Sequence, residues 1–210
     1  MNKYSQHGED YFIDKYNIIN KESVILDIGA NDGITFSNSR FFIEKYDSSA
    51  FLVEPTSKCL LKLNELYSNN DRVKIIPYAI SEKNELTKIN IGNLMDLPTC
   101  INQVSTLIES ERFYWETGRN VIYTEEIIES ITPDELVKKI NNTPIDLLSI
   151  DTEGYDYFIL SELFVLGIKP KFIIFEWNSK LDVFEKCNEL LSDYYEMIFK
   201  HSVNLIFKLK

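Results

Sequence analysis

The sequence predicts an α/β fold: a mostly parallel seven-stranded sheet with helices on both faces. Three observations predict it. Short apolar runs alternate with amphipathic stretches of helical period along the chain. The run Val24-Ile25-Leu26 ends in Asp27 and enters a tight turn with Gly29 and Gly33 four apart. The last two apolar runs, YYEMIFKH and VNLIFKLK, lie too close together for a crossover connection, so they form an antiparallel hairpin.

Taken in order, strands are expected at 23–28, 49–54, 73–78, 146–151, 171–177, 194–200 and 203–209. Helices are expected at 9–18, 34–46, 56–68, 133–141, 155–165 and 181–192. Strands spaced by helical patterns imply right-handed crossovers and a parallel sheet. One helix start is marked by chemistry: Thr132 as N-cap, Pro133 at the first helical position and Glu135 three after the cap. Residues 92–120 break the alternation. They hold Gly92, Pro98, Gly118 and a group of aromatic and charged residues, among them Arg112, Tyr114, Trp115 and Arg119. A connection that long in a small domain is read as a lid or a substrate insert.

The bulk numbers narrow the function classes. At 210 residues the chain fits one domain, with 44% hydrophobic and 26% charged residues. A net charge of −11 argues against nucleic acid and against an anionic membrane surface as partners. No apolar window approaches the length of a membrane span, and no secretory leader is expected. Cys59, Cys100 and Cys187 are odd in number and far apart, which suits reduced thiols in the cytoplasm. Oligomeric state is left open by these features.

The strand ends carry the chemistry. In VILDIGANDG, Asn31 stands where a dinucleotide fingerprint needs its middle glycine, and no P-loop lysine follows. Asp27, two before the first glycine, suits a cationic, phosphate-free ligand such as S-adenosylmethionine. Turn glycines let backbone approach such a ligand closely. Glu54 ends the second strand, where a carboxylate accepts both hydroxyls of a ribose. Ala79, Ile80 and Ser81 follow the third strand, where an adenine ring fits.

The fourth strand delivers Asp151 and Glu153, and the fifth delivers Glu176 and Asn178. Crowded carboxylates raise one another's pKa, and such crowding marks functional sites. The plain alternative is a helix-start acid, a role open to Asp156 as well. These acids also suit Mg or Mn by all-oxygen ligation, a reading not favoured over a metal-free site. Arg112, Arg119 and Lys180 are candidate holders of a substrate diphosphate. His7 and His201 lack metal-ligand spacing and are read as structural.

Together, SQHGED, VILDIGANDGITF, FLVEP, the STL at 105–107, DLLSIDTEGYDYFIL and IIFE resemble FkbM-type methyltransferases over about residues 4–177. The resemblance implies a Rossmann-like class I methyltransferase fold, S-adenosylmethionine as cofactor, and O-methylation of a sugar hydroxyl. Acceptors of that kind are sugar nucleotides and surface glycan precursors. It implies that Asp27, Gly29, Asn31 and Gly33 hold the methionine moiety, that Glu54 with Pro55 serves the ribose, and that Ser81 lies near adenine. Ser5, Gln6 and Glu9 would belong to an N-terminal segment (1–20) closing over the cofactor. Asp151, Glu153 and Glu176 would line the acceptor side; apart from the resemblance, position in the sequence makes Asn178 and Arg112 the candidate substrate contacts. Relatives often carry IDVEG where this chain has IDTEG.

A sugar hydroxyl is a weak nucleophile, so a base is expected. With two histidines in the chain and three acids at strand ends, that base is expected to be Asp151 or Glu153, with Glu176 second. Two other classes compete. An NAD-dependent oxidoreductase on the same fold would need the glycine that Asn31 replaces. A non-catalytic interaction domain would have little reason to keep crowded acids.

Overall fold

In the computed structural model, which describes residues 4–93, 104–119 and 121–210, the parallel sheet forms as predicted. Its strands are β1 (Val24–Ile28), β2 (Ser49–Val53), β3 (Val73–Ile76), β7 (Leu147–Ile150), β8 (Phe172–Glu176), β9 (Tyr195–Lys200) and β10 (Asn204–Leu209). They lie in the order β3-β2-β1-β7-β8-β10-β9. β10 runs antiparallel to both β8 and β9, which completes the C-terminal hairpin. The order reverses between β1 and β7, so a crevice opens above their C-terminal ends.

Alternation along the strands sorts the core into two layers. Leu26, Ile28, Leu148, Ile150, Ile173 and Phe175 face one side. There they meet α5 (Pro133–Lys139), α6 (Asp156–Val165) and α7 (Leu181–Leu191). Ile25, Leu52, Leu147, Phe172 and Ile174 face the other. They meet α1 (Glu9–Asp14), α2 (Arg40–Tyr46) and α3 (Ser57–Tyr67). A strand covered on both faces reads as a continuous apolar run, which is why these strands were legible. The predicted cap on α5 forms: Thr132 Oγ1 accepts the Glu135 N–H at 3.3 Å.

Three features depart from expectation. First, α2 starts at Arg40 and not at 34. The Asp32 carboxylate accepts the N–H groups of Ile34 and Thr35 at 2.9 and 2.7 Å and the Thr35 hydroxyl at 3.1 Å. That side-chain turn competes with helix, and Phe36 follows at φ 55°. Second, α1 stops at Asp14, with Asn17 left-handed at φ 54°. Third, a second sheet forms, β4-β6-β5, from β4 (Ala79–Ile80), β5 (Glu85–Asn93) and β6 (Ile122–Ile131). Between β5 and β6 the insert carries α4 (Glu109–Arg119). Of the expected features of the insert, Pro98 and Cys100 lie outside the described residues.

Candidate active site at the strand ends

The C-terminal ends of β1, β2, β7 and β8 open into one cavity of about 660 Å³, a size that fits a nucleoside-bearing ligand with a second molecule beside it. Asp27, Gly29, Asn31, Glu54 and Pro55 line one side. Asp151, Glu153, Glu176 and Asn178 line the other, and Gln6 closes an edge.

The β1 turn is built by hydrogen bonds from neighbouring elements. The N–H groups of Gly29 and Ala30 donate to the Val53 carbonyl at 3.0 and 3.1 Å. Asn31 sits at φ 50°, a left-handed position that Asn tolerates. Its N–H donates to Glu54 Oε2 at 3.1 Å, and its Oδ1 accepts the Cys59 thiol at 2.9 Å. Burial pushes that thiol up to about 12, so it stays protonated and structural.

Asp27 is buried and accepts the Ser39 hydroxyl at 2.5 Å. Burial raises its pKa against the help of Ser39 and Ser149. Glu54 is also buried, and burial raises its pKa too. Its Oε1 accepts the Thr56 N–H and hydroxyl at 2.9 and 2.5 Å. With the Asn31 contact, three of roughly four acceptor positions on this carboxylate are filled. Room is left for one further donor, not for the two ribose hydroxyls expected.

The opposite wall is a triad of acids. Ligand oxygens of Asp151, Glu153 and Glu176 all lie within 4.8 Å of one another. Burial is the largest influence on each; repulsion from Asp156 adds to it in all three, and repulsion from Asp151 adds to it in Glu153 and Glu176. Asp151 is raised to about 7, while Glu153 and Glu176 are held well above the carboxylate range. A side-chain hydrogen bond joins Asp151 to Glu176 and favours the proton on Glu176. The two carboxyls are close enough for a proton to be shared between them. The same three oxygens have the spacing to hold a divalent cation in place of protons. The helix-start role falls instead to Asp156, which accepts the N–H groups of Thr152 and Gly154 at 2.7 and 2.8 Å.

Glu153 is tied to the insert. It is left-handed at φ 53°, its carbonyl accepts the Thr106 hydroxyl at 2.7 Å, and its Oε2 accepts the Trp115 indole N–H at 3.2 Å. Gly154 packs so closely on Ile108 and Glu111 that a Cβ would come within 2.8 Å of Ile108. Through these contacts α4 roofs the cavity with Glu111, Tyr114, Trp115 and Arg119.

Four expected site residues take other positions. Gly33 lies off the cavity, at φ 69°; a Cβ there would meet Leu63 Cδ2 of α3 at 2.7 Å. Its freedom serves helix packing, not ligand approach. Ser81 turns away, its hydroxyl donating to the Lys83 carbonyl at 3.1 Å. Tyr78, Ala79 and Ile80 line the cavity there instead. Glu9 is fully buried behind the wall, where it accepts the His7 N–H at 2.8 Å and Asn204 Nδ2 at 2.7 Å. It anchors the N-terminal segment to β10, and His7 stacks on His201 with ring centres 3.6 Å apart. Arg112 points away from the cavity into Glu109, Glu116 and Glu125, at 3.5, 3.1 and 3.8 Å.

Sequence reasoning also missed Asn38 and Ser105. Both line the cavity, and Asn38 Oδ1 and Ser105 Oγ are buried atoms with no hydrogen-bond partner among the described residues. No signal in SNSR marks Asn38 in advance; Ser105 belongs to the STL stretch that carries part of the family resemblance, but that stretch alone gives it no role, which comes from where the loop folds.

The sheet order, the C-terminal hairpin and the cavity at the reversal point define a class I Rossmann-like methyltransferase fold. Residues 27–200 match the methyltransferase FkbM domain, and the chain belongs to that family. No curated protein sequence matches it. Solved structures share the fold at low identity. Methyltransferase FkbM from Methylobacillus flagellatus is 13% identical with a TM-score of 0.54, over 90% of this chain and 44% of that one. This chain thus spans under half the length of that relative. An rRNA methylase from Streptococcus thermophilus is 12% identical with a TM-score of 0.54, over 100% and 98% of the two chains. A Streptococcus mutans protein solved in complex with SAH is 8% identical with a TM-score of 0.50, over 92% of each. An rRNA methylase among them means that the fold does not by itself exclude a nucleic-acid acceptor. Among the described residues, no helix is long and apolar enough to cross a membrane.

Proposed function

We propose that this chain is an S-adenosylmethionine-dependent O-methyltransferase acting on a sugar hydroxyl, carried by a sugar nucleotide or a glycan precursor. The observation that carries the reading is the placement of Asp27 and Glu54 on one wall of a single cavity and Asp151 with Glu176 on the other. The donor set fits the cofactor. Glu54 has one acceptor position left for a ribose hydroxyl, and Asn38 Oδ1 is an orphaned acceptor suited to an ammonium group. Buried acids suit a sulfonium charge. A net charge of −11 supports a small acceptor over a nucleic acid.

Bound there, the cofactor supplies a methyl group on a sulfonium whose departure leaves a neutral thioether. The protein's task is alignment and proton removal. Asp151 is the base of this reading: its pKa of about 7 sits where a general base is most useful, and Glu176 holds the neighbouring proton. Glu153, bound to Trp115, positions the roof of the site.

Calorimetric titration with S-adenosylhomocysteine tests the reading; a flat titration at high micromolar ligand would end it. Glu54→Ala removes a hydrogen-bonding carboxylate and should weaken binding about tenfold or more. The pH profile gives a second test. Deprotonated Asp151 is the active form, so kcat/KM should climb about tenfold per pH unit below about 7 and level off above it. A profile flat from pH 5 to 8 would remove Asp151 from the role.

A further inference from the structure

The cavity wall holds an uneven set of charges. Among the described residues, Arg119 and Lys180 are the cations that line it. They come from different elements: Arg119 from the last turn of α4, Lys180 from the residue preceding α7. Arg119 makes no ion pair among the described residues, whereas Arg112, on the same helix, is occupied by three carboxylates. Lys180 Nζ lies 2.6 Å from Glu111 Oε1, an ion pair that spans from the insert to the β8 end. Their side chains are 36% and 18% exposed, so the pair is partly desolvated.

We infer that Arg119 and Lys180 form an anion subsite for a phosphate group on the acceptor, and that Glu111 occupies Lys180 until that phosphate replaces it. The inference rests on the methyl-transfer reading above and adds the charge class of the acceptor. The charge count favours phosphate. Two cations match a group carrying close to two negative charges at neutral pH. Arginine binds phosphate oxygens in a bidentate fork, and lysine supplies a point charge. Burial opposes the charge on Lys180, but its bond to Glu111 and the charges of Glu111, Glu176 and Glu153 together outweigh it, so an ammonium is present to be shared. A partly buried carboxylate that pairs with the only other cation in the wall among the described residues is well suited to be exchanged for an incoming anion. The swap would also release Glu111, and with it one tie that holds α4 over the site.

The test is calorimetry on protein saturated with S-adenosylhomocysteine, titrated with UDP and, separately, with glucose 1-phosphate. Binding of either supports the subsite. Tighter binding of UDP assigns the phosphate to a nucleotide-linked sugar, and equal binding to a sugar phosphate. Arg119→Ala and Lys180→Ala should each weaken the probe about tenfold or more. Glu111→Gln should strengthen it severalfold, because Lys180 is then unpaired; a merely structural ion pair would give no gain. S-adenosylhomocysteine affinity measured in the same variants reports that the fold is intact. Protein that binds S-adenosylhomocysteine but neither phosphate would overturn the subsite and leave the methyltransferase reading standing. Unchanged probe affinity in both alanine variants, or a loss in Glu111→Gln, would overturn it as well.

Discussion

Asp151→Asn is expected to lower methyl transfer by about 10²–10⁴-fold while making the protein more stable at pH 8. Both effects follow from one cause. In the folded chain Asp151 keeps its proton up to about pH 7, because burial and Asp156 disfavour its charge. In the unfolded chain an Asp loses that proton near pH 4. Between these values the folded state binds more protons than the unfolded one, so this group's contribution to stability falls as pH rises from about 4 to about 7 and is flat above. Asn keeps an oxygen to accept the Glu176 proton and never ionises. At pH 4 the two proteins should melt alike. At pH 8 the variant should gain on the order of 2–4 kcal/mol, or roughly 5–10 °C in a chain of this size. Thermal melts at the two pH values decide it. A variant that melts no higher than the parent at pH 8 would show that the triad is relieved by something other than protons, a bound cation being the obvious agent.

This trade of stability for poise explains what the sequence could disclose. Asp27, Glu54, Asp151 and Glu176 were legible because each follows an apolar run, and a run of that kind in an α/β chain is a buried strand with its end at the crevice. The hairpin was legible from the short gap between its strands. The second sheet was not. β5 and β6 are antiparallel partners separated by the whole insert, so no turn dipeptide announces them. Their outer positions are charged, Glu125, Glu126 and Glu129 among them, and Ile122, Ile127 and Leu86 are exposed, which blurs the alternation. Cation roles were equally hidden. Arg112 and Arg119 lie seven apart on α4 and look interchangeable in sequence, yet β5 and β6 supply Asn90 and Glu125 to capture Arg112 and leave Arg119 to the cavity. The glycines show the same limit. The spacing of Gly29 and Gly33 identified the turn, but not which neighbour demands each one.

That demand sets the second large effect. Gly29→Ala should destabilise the chain by at least about 3 kcal/mol and abolish binding of S-adenosylhomocysteine. Gly29 sits at φ 90°, outside the range other residues adopt readily, and a Cβ there would lie 1.7 Å from the Asp151 carbonyl oxygen. Backbone faces backbone at this contact, so no side-chain rotation relieves it. Either β1 or the β7 end must move, and both carry the site: the Gly29 N–H donates to Val53, and the Asp151 N–H donates to Ile28 at 2.9 Å. The glycine is thus what allows the β1 turn and the proposed base to share one crevice. Gly118→Ala is the control, since nothing lies within 4 Å of its Cβ position and it belongs to α4. That substitution should leave binding unchanged and raise stability by up to about 1 kcal/mol through helix propensity. Denaturant melts and one ligand titration on the two variants compare these outcomes directly. If Gly29→Ala folded and bound like Gly118→Ala, the close approach of β1 and β7 would not be what shapes the site.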